Sequence, residues 1–349
     1  MALRTSRRLL PWTQSPLIAN APMSGIATSA LAVAVTRAGG LGQIGYMDDL
    51  DKLSEHLHTA RHELQDIMAG LPNPDVLPIG LGVIAFGSPM TAWMELFTEY
   101  KPAVAWLSFA ATHEFKQWTE RIRRSSPQTK VWIQLGSVTA AIDIARECQP
   151  DAIVLQGSDA GGHGHRDGAS LISLLPEVVD AFQERGLGDI PLVAAGGITD
   201  GRGTAAALTL GASGVVMGTR FLAAREADIP SFYREAIFDA TDGGEATARS
   251  RVFDEIWGPN IWPQTYDGRC LRNAAYEEYR DGVGIQSIRA GLFRAMQSPE
   301  KVPVQEMSTI WAGTGVGMIN QETTAAEIVQ GARKQVKECL ERTYTCLER

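Results

Sequence analysis

The sequence lacks the features that mark several common classes of protein. Its four cysteines are scattered, with no C-x-x-C pair and no histidine spacing typical of zinc, so we expect reduced thiols and no metal site. No apolar run approaches the roughly 18 residues that a membrane helix needs. The formal net charge of −8 comes with no basic stripe that could neutralise the phosphates of nucleic acid or an anionic membrane. These absences predict a soluble, cytoplasmic protein that acts on small molecules.

The chain is rich in alternating strand-like and helix-like segments. With 349 residues, 44% of them hydrophobic, it is long enough for one large barrel domain or two smaller domains. The strand candidates are residues 17–21, 42–45, 79–85, 103–109, 131–135, 152–156, 190–195 and 214–218. Repeated strand-helix units predict parallel strands covered by helices, and this number predicts an α/β fold of the closed (β/α)₈ TIM barrel type. The rival open sheet would carry a G-x-G-x-x-G turn after its first strand, which is missing.

The alternation stops after Phe221. Residues 225–310 are richer in charge and aromatic side chains, and we interpret them as a smaller, mostly helical domain inserted after strand eight, covering the site of the barrel. Residues 311–349 contain another glycine-rich turn and a final helix that closes the barrel. The predicted division is therefore a barrel of residues 1–224, a cover domain of residues 225–310 and a return segment of residues 311–349.

A glycine-rich turn with a histidine follows the apolar run of residues 152–155. Gly161 and Gly162 have no Cβ and allow a planar ligand to approach closely, and His163 offers an imidazole, which commonly acts as acid or base. Barrel enzymes place their chemistry at the C-terminal ends of the strands. We therefore predict that His163 is catalytic. The flanking side chains that could orient its ring are Asp159, His165 and Asp167.

Two further glycine-rich turns end predicted strands seven and eight. Ala195, Gly196 and Gly197 precede a helix that begins near residue 200, while Gly218 and Thr219 supply unhindered amides and a hydroxyl. In barrels, the loops after these two strands commonly bind a phosphate through backbone N–H groups and a helix N-terminus. These residues are therefore predicted to bind a phosphate or a phosphate-bearing cofactor.

Gln134 ends the otherwise apolar fifth strand. A glutamine in such a strand must find hydrogen-bond partners or bear a desolvation cost of roughly 1–3 kcal/mol. Inside a barrel its partner is either the polar edge of a ligand, which we favour, or neighbouring backbone.

Taken together, these motifs resemble those of the nitronate monooxygenase family, formerly called 2-nitropropane dioxygenases. The Ala-Gly-Gly-His pattern is also found in FMN-dependent enoyl-acyl-carrier-protein reductases and in some flavin quinone reductases. The segments that match run in family order along the chain: Asn20-Ala21-Pro22-Met23, Ala38-Gly39-Gly40-Leu41-Gly42, Ser158-Asp159-Ala160-Gly161-Gly162-His163-Gly164, Ala194-Ala195-Gly196-Gly197-Ile198, Met217-Gly218-Thr219-Arg220-Phe221 and Ala312-Gly313-Thr314-Gly315-Val316-Gly317.

The resemblance implies an FMN cofactor and a barrel with an added helical domain. His163 would be the base beside the flavin. Gln134 falls where several relatives carry a lysine, and Gly82 where many have asparagine or glutamine. The remaining roles that the resemblance implies are backbone contacts with the flavin ring from Ala21, Pro22 and Met23, and binding of the ribityl phosphate and its approach by Gly162, Gly196, Gly197, Gly218 and Thr219.

The leading functional hypothesis is FMN-dependent oxidation of alkyl nitronates with O₂, giving a carbonyl compound and nitrite. The expected partners are a small-molecule substrate and O₂, and a homodimer is a further prediction. Two enzyme alternatives stay open, an NAD(P)H-dependent FMN reductase of enoyl thioesters or quinones and a tailoring flavoenzyme of a specialised pathway. A protein that only binds FMN is disfavoured by His163. The reductase would use a basic entrance built from Arg225, Arg234, Arg249, Arg251, Arg269 and Arg272.

Overall fold

The computed structural model describes residues 10–297 and 304–347. Residues 1–9, 298–303 and 348–349, which belong to the predicted barrel, cover domain and return segment, lie outside the described part of the chain. Within the described ranges, no helix is both long and apolar enough to span a membrane.

Eight parallel strands form the barrel, as predicted. Their spatial order is β1-β9-β8-β6-β5-β4-β3-β2. Strand β7 (Gly162–His165) belongs to a different sheet, so each barrel strand lies beside the barrel strand that precedes or follows it in the chain. The strands are β1 (Leu17–Asn20), β2 (Gln43–Ile44), β3 (Leu77–Ile84), β4 (Pro102–Ser108), β5 (Lys130–Leu135), β6 (Ala152–Gln156), β8 (Leu192–Ala195) and β9 (Gly214–Met217).

Helices cover the outside of this barrel. They are α1 (Ser29–Arg37), α2 (Leu50–Glu63), α3 (Gln65–Ala69), α4 (Met90–Tyr100), α5 (Thr112–Ser125), α6 (Val138–Cys148), α7 (Leu171–Glu184), α8 (Gly201–Thr209) and, near the end of the chain, α14 (Ala325–Leu347). Helices α2 and α3 are separated at Leu64, which ends α2 and precedes α3. Helix α14 packs between α8 and α1, in the position of the eighth barrel helix.

Alternate residues of each strand face the helices and the barrel interior, because side chains alternate along a β-strand. In β6, Ile153 and Leu155 belong to the core beneath the helices, whereas Val154 belongs to the interior cluster. Trp106 and Trp132 fill much of that interior. The lower barrel is therefore solid, and space for a ligand remains only near the C-terminal ends of the strands.

Two buried amide side chains close the barrel between β1 and β2. Main-chain pairing there is limited to a bridge between Ala19 and Leu41. Asn20 Oδ1 accepts a hydrogen bond from the Gln43 N–H at 2.8 Å, and Asn20 Nδ2 donates to the Gln43 carbonyl at 2.9 Å. Gln43 Nε2 donates in return to the Asn20 carbonyl at 2.7 Å. These bonds replace the ladder that the short strand β2 does not supply.

The described residues of the insertion form five α-helices and two strands. The strands β10 (Thr247–Ser250) and β11 (Tyr266–Leu271) form an antiparallel sheet with β7 (Gly162–His165), in the order β10-β11-β7. This sheet was not predicted from the sequence. Its strand β7 lacks the β-branched residues and the apolar alternation that mark a strand. The helices are α9 (Ser231–Asp239), α10 (Gly243–Ala246), α11 (Val252–Glu255), α12 (Ala274–Arg280) and α13 (Ile285–Gln297).

The insertion also has an apolar core of its own. This supports the division into barrel, insertion and return segment, which we keep as a proposal. The core residues are Val252, Phe253, Ile256, Cys270, Ala275, Ile288, Leu292, Ala295 and Met307.

Arg333 of α14 binds the last barrel helix to the segment before β1 and to the end of α1. Its guanidinium donates to the carbonyls of Ala38 at 2.8 Å, Gly39 at 2.6 Å, Gln14 at 3.2 Å and Pro16 at 3.4 Å. Burial lowers the pKa of Arg333 to about 10, so the group remains charged at neutral pH. The cation satisfies carbonyl groups at the end of α1 that have no partner within the helix.

Replacing Arg333 by methionine should lower the free energy of unfolding by roughly 1–3 kcal/mol, because these carbonyls lose their donor. Urea denaturation measures the change. Arg342→Met, at an exposed position of the same helix, is the control and should stay within about 0.5 kcal/mol of the parent. Equal losses in both variants would contradict the assigned role of Arg333.

Candidate active site

A cavity of about 650 Å³ opens at the C-terminal ends of the barrel strands. Every residue predicted from the sequence to be catalytic or to bind the cofactor lines it, although these residues come from five separate segments of the chain. They are Ala21, Pro22, Met23, Gln134, Gly162, His163, Ala195, Gly196, Gly197, Gly218 and Thr219. The structure thus brings the predicted site residues together. The individual roles of these residues remain predictions.

One end of the cavity is suited to an anion. Gly196 and Gly197 have φ values of +103° and +71°, which favour glycine and turn the backbone sharply after β8. Among the loop hydrogen bonds of the described residues, none is donated by the amides of Gly196, Gly197 or Thr219. Asp200 caps α8 by accepting from Arg202 N at 2.9 Å, so the loop amides, rather than the helix end, remain available.

Arg220 adds a positive charge beside these turns. It directly follows Thr219 and is partly buried, and burial lowers its pKa. Within the described ranges no carboxylate lies within ion-pair distance of its guanidinium. The charge of Asp200 offsets part of this desolvation, and an anion bound nearby would offset more of it.

The return segment is fixed directly against the histidine turn. A Cβ on Gly161 would lie 2.4 Å from the carbonyl carbon of Ala312, so only glycine allows the two backbones to approach this closely. Thr314 N donates to Asp159 O at 3.0 Å, and Gly313 N donates to Thr219 Oγ1 at 2.9 Å. The histidine turn, the turn after β9 and the return segment therefore form one packed unit.

A row of hydrogen-bonded amides crosses the barrel beneath the histidine turn. Trp106 Nε1 donates to Gln134 Oε1 at 3.2 Å, Gln134 Nε2 donates to Gln156 Oε1 at 3.0 Å, and Gln156 Nε2 donates to His163 O at 3.0 Å. Gln134 has side-chain partners, and its second N–H has no acceptor among the described residues. That N–H is available to a ligand in the cavity that Gln134 lines.

The ring of His163 is held by residues of the insertion and of the segment that follows it. The Trp262 indole stacks on it with ring centroids 3.6 Å apart and planes at 14°, and Trp311 lies 4.6 Å away at 48°. His163 Nε2 is 2.8 Å from Asp254 Oδ1, and both side chains are about nine-tenths buried, with exposures of 14% and 12%. Position and hydrogen bonding of the imidazole therefore depend on the insertion.

The flanking residues proposed to orient His163 do not do so. Asp159 lies 3.5 Å from Thr314 Oγ1, and Asp167 is exposed beside Arg166. His165 Nδ1 is buried without a hydrogen-bond partner among the described residues, and desolvation lowers the pKa of His165. The orienting carboxylate is instead Asp254, 91 residues farther along the chain.

Sequence reasoning missed several residues of the site besides Asp254. Trp262, Trp311 and Gln156 all line the cavity. Asp254 lies among other charged residues of the insertion, so nothing in the local sequence distinguishes it from a solvated surface carboxylate. The pairing of β7 with β11 brings the insertion to the histidine turn.

Aromatic side chains form one wall of the cavity. Phe109 has a φ of +58°, unusual for a bulky residue, and its ring lies edge-on to Trp262 at 5.0 Å and to Tyr266 at 5.2 Å. Phe86 also lies against Trp262, at 5.1 Å. No lysine or arginine of the described residues lines the cavity, so its lining offers no lysine or arginine cation to a ligand.

The arginines suggested for a basic entrance are engaged within the protein. Arg225 and Arg234 both pair with Glu322, at 2.9 and 2.6 Å, and Arg249 pairs with Asp267 at 2.5 Å. They therefore do not form a free cationic surface. The partners of the others are Glu255 and backbone carbonyls for Arg251, Ser158 O and Thr247 for Arg269, and Glu277 for Arg272.

Comparison with known proteins identifies the family. Residues 83–332 match the family model described as nitronate monooxygenase. The nitronate monooxygenase npaC of Metarhizium robertsii is 39% identical over 345 residues, which cover 95% of this chain and 94% of that protein. The chain belongs to the nitronate monooxygenase family. Membership makes it an oxidoreductase and confirms the resemblance found in the sequence.

A second relative and a solved structure are also similar to this chain. A nitronate monooxygenase of Neurospora crassa is 36% identical over 362 residues, covering 97% of this chain and 93% of that protein. FabK from Thermotoga maritima has a similar structure, with a TM-score of 0.74 and 26% identity over 97% of this chain and 98% of that one.

Membership of the nitronate monooxygenase family implies a flavin cofactor, and the cavity is compatible with one. The free amides near Gly196 and Gly197 suit a phosphate, and Arg220, which follows the lining residue Thr219 without lining the cavity itself, adds a positive charge nearby. The unpaired N–H of Gln134 suits the polar edge of a ring. The glycines leave the floor open to a flat ligand, since a Cβ on Gly162 would meet no atom within 4 Å.

A methyl group at Gly162 should weaken flavin binding by about tenfold, which corresponds to about 1.4 kcal/mol. Gly162→Ala places this methyl in the cavity lining at a φ of +71°. Gly186→Ala is the control, because its φ is +68°, its surroundings are equally open and it lies on an exposed turn after α7. Both variants should lose roughly 1–2 kcal/mol of stability through backbone strain.

Titration of the apoprotein with flavin, followed by fluorescence, measures affinity, and urea denaturation measures stability. Equal flavin affinities in the two variants would show that Gly162 does not lie against the cofactor.

Proposed function

We propose that the protein is an FMN-dependent enzyme that oxidises alkyl nitronates, the conjugate bases of nitroalkanes, with O₂ to a carbonyl compound and nitrite. The observation that carries the proposal is the placement of His163, held between two indole rings and a carboxylate at the wall of the cavity. An imidazole fixed in this way can exchange a proton with a bound substrate. Membership of the nitronate monooxygenase family supports the same reaction.

The proposed cofactor is FMN. Its single phosphate suits the free backbone amides of Gly196, Gly197 and Thr219. Arg220 would compensate part of the phosphate charge. Gln134 would donate its free N–H to the polar edge of the flavin ring. When bound, FMN would supply the electron transfer between substrate and O₂. The other proposed contacts are backbone contacts from Ala21, Pro22 and Met23 and close approach at Gly162, Ala195 and Gly218.

His163 would act on the neutral form of the substrate. A nitroalkane carries an acidic hydrogen on the carbon next to its nitro group, and transfer of that proton to the imidazole yields a nitronate and an imidazolium. Asp254 and the Trp262 ring face both interact favourably with a cation, so they stabilise the imidazolium. The imidazolium in turn stabilises the nitronate anion. A nitronate supplied ready-made bypasses the proton transfer.

The proposed conversion balances without a nicotinamide. Two nitronate anions and one O₂ together contain the atoms and the charge of two carbonyl compounds and two nitrite ions. The reductase alternative needs NAD(P)H and, for a carrier-bound thioester, a basic entrance. Since the candidate arginines pair internally, the cavity gives that alternative less support.

The lining of the cavity favours substrates with an uncharged alkyl group. Phe86, Phe109, Ile261 and Trp262 form an apolar wall, and the acidic Asp48 also lines the cavity. A carboxylate on the substrate would lose its hydration there without gaining a lysine or arginine counter-ion from the described residues. The proposed substrates therefore carry no charge other than that of the nitronate group.

Anaerobic mixing tests the proposed reaction directly. Excess butyl-1-nitronate should bleach the visible flavin absorbance rapidly, whereas NADH and NADPH should leave it unchanged over the same period. The nitronate of an ω-nitro carboxylic acid should react at least about tenfold more slowly at equal concentration, because its carboxylate meets no counter-ion. Reduction by a nicotinamide but not by a nitronate would replace the proposal with the reductase alternative.

Replacing His163 by asparagine should separate proton removal from oxidation. We expect kcat/KM for a neutral nitroalkane to fall by about 10²–10⁴, the usual contribution of a general base, while kcat/KM for the preformed nitronate falls by less than about tenfold. Oxygen uptake measures both. Equal losses on the two substrates would exclude His163 as the base.

A further inference from the structure

Asp254 is a buried carboxylate with a single side-chain partner. Its Oδ1 lies 2.8 Å from His163 Nε2, and its Oδ2 is buried with no hydrogen-bond partner among the described residues. The neighbouring Glu255 forms an ion pair with Arg251, and Asp267 forms one with Arg249. An ionised carboxylate accepts hydrogen bonds but cannot donate them. The proton between Asp254 and His163 must therefore sit on Nε2 whenever Asp254 is ionised.

This arrangement leaves Nδ1 as the free nitrogen of the ring. Neutral imidazole carries one proton, so a ring with Nε2–H has its lone pair on Nδ1. Nδ1 makes no hydrogen bond to a described residue and, unlike His165 Nδ1, it is not fully buried. It is therefore accessible from the cavity that His163 lines.

The aromatic neighbours prevent the ring from exchanging its two nitrogens. Trp262 covers one face of the imidazole at 3.6 Å, and Trp311 lies at 4.6 Å, so turning the ring about its Cβ–Cγ bond would displace an indole. The backbone is also held, because Gln156 Nε2 donates to His163 O and β7 pairs with β11. The tautomer and the orientation of His163 are thus fixed together.

The insertion holds Asp254 in place from the other side. It lies in α11, where Phe253 and Val252 are buried in the core of the insertion. Ser250 Oγ accepts from Val252 N at 3.1 Å, and Asp254 N donates to Arg251 O at 3.1 Å. The carboxylate therefore approaches His163 on a packed element rather than on a free loop.

We propose that Asp254 is a positioning residue that holds His163 as the Nε2–H tautomer and so makes Nδ1 the atom that accepts the substrate proton. In the proton transfer, the bond between the substrate carbon and its hydrogen breaks, its electron pair stays on the nitronate, and a new N–H bond forms at Nδ1. Asp254 keeps its charge throughout and faces the imidazolium that results. This assignment rests on the proposed function only for the identity of the proton donor.

Nitrogen-15 NMR of histidine-labelled protein tests the tautomer without any substrate. The chain has six histidines, so the His163→Asn spectrum identifies the missing signals. In the holoenzyme with its ring neutral, His163 should show a protonated Nε2 and an unprotonated Nδ1. A protonated Nδ1 with a bare Nε2 would overturn the proposal, and this measurement needs no variant of Asp254.

Two substitutions separate the role of Asp254 from simple support of the fold. Asp254→Ala removes the acceptor, so a fraction of Nδ1–H tautomer should appear, and kcat/KM for a neutral nitroalkane should fall roughly 10²-fold while that for preformed nitronate changes less than about threefold. Asp254→Asn can still accept from Nε2–H through its amide oxygen, so it should keep the tautomer and more of the activity. Glu255→Gln, in the same helix, should change neither readout.

Loss of activity on both substrates to the same extent in Asp254→Ala, with the His163 signals unchanged, would reduce Asp254 to a structural residue. If the parent enzyme oxidises neither nitroalkane nor nitronate, the proposed function fails, while the NMR result still decides the tautomer. The two proposals can therefore fail separately.

Discussion

The close approach of two glycine-rich backbones at Gly161 and Gly313 is the constraint on which the site depends. A Cβ at either position would overlap main-chain atoms of the other segment. Their contact, together with the hydrogen bond from Thr314 to Asp159, fixes the start of the return segment, which follows the insertion, to the mouth of the barrel. Because β7 leaves the same turn and pairs with β11, Asp254 and Trp262 reach His163 only when barrel and insertion are both folded.

The distribution of charge around the cavity follows from this docking. The arginines of the insertion bind groups inside the protein. Arg249 forms an ion pair with Asp267, and Arg269 donates a hydrogen bond to the carbonyl of Ser158. Few ionisable groups therefore remain at the cavity itself, chiefly His163 and Asp48. In so apolar a lining, one imidazole and a few free amides dominate the electrostatics that a small anion experiences.

The fold was largely predictable because its signals are local and repeated. Apolar runs such as residues 152–156 alternate with amphipathic helices, and the closed barrel is the arrangement that buries all of them. The seam at Asn20 and Gln43 was not predicted, since those two amides are adjacent only after the barrel closes. Strands β10 and β11 were also missed, because β11 pairs with β7, which carries only glycine and histidine, and β10 pairs in turn with β11.

The sequence by itself determined which strand ends carry glycines, a histidine and a glutamine, and parallel strands bring those ends to one edge. His163, Gln134 and the glycines at 196, 197 and 218 were therefore found from the sequence, and they line one cavity. Only the tertiary structure decided which carboxylate meets His163, which indoles enclose it and which arginines are already paired. Those contacts join residues about a hundred positions apart, and their geometry depends on the docking of two cores rather than on any local pattern.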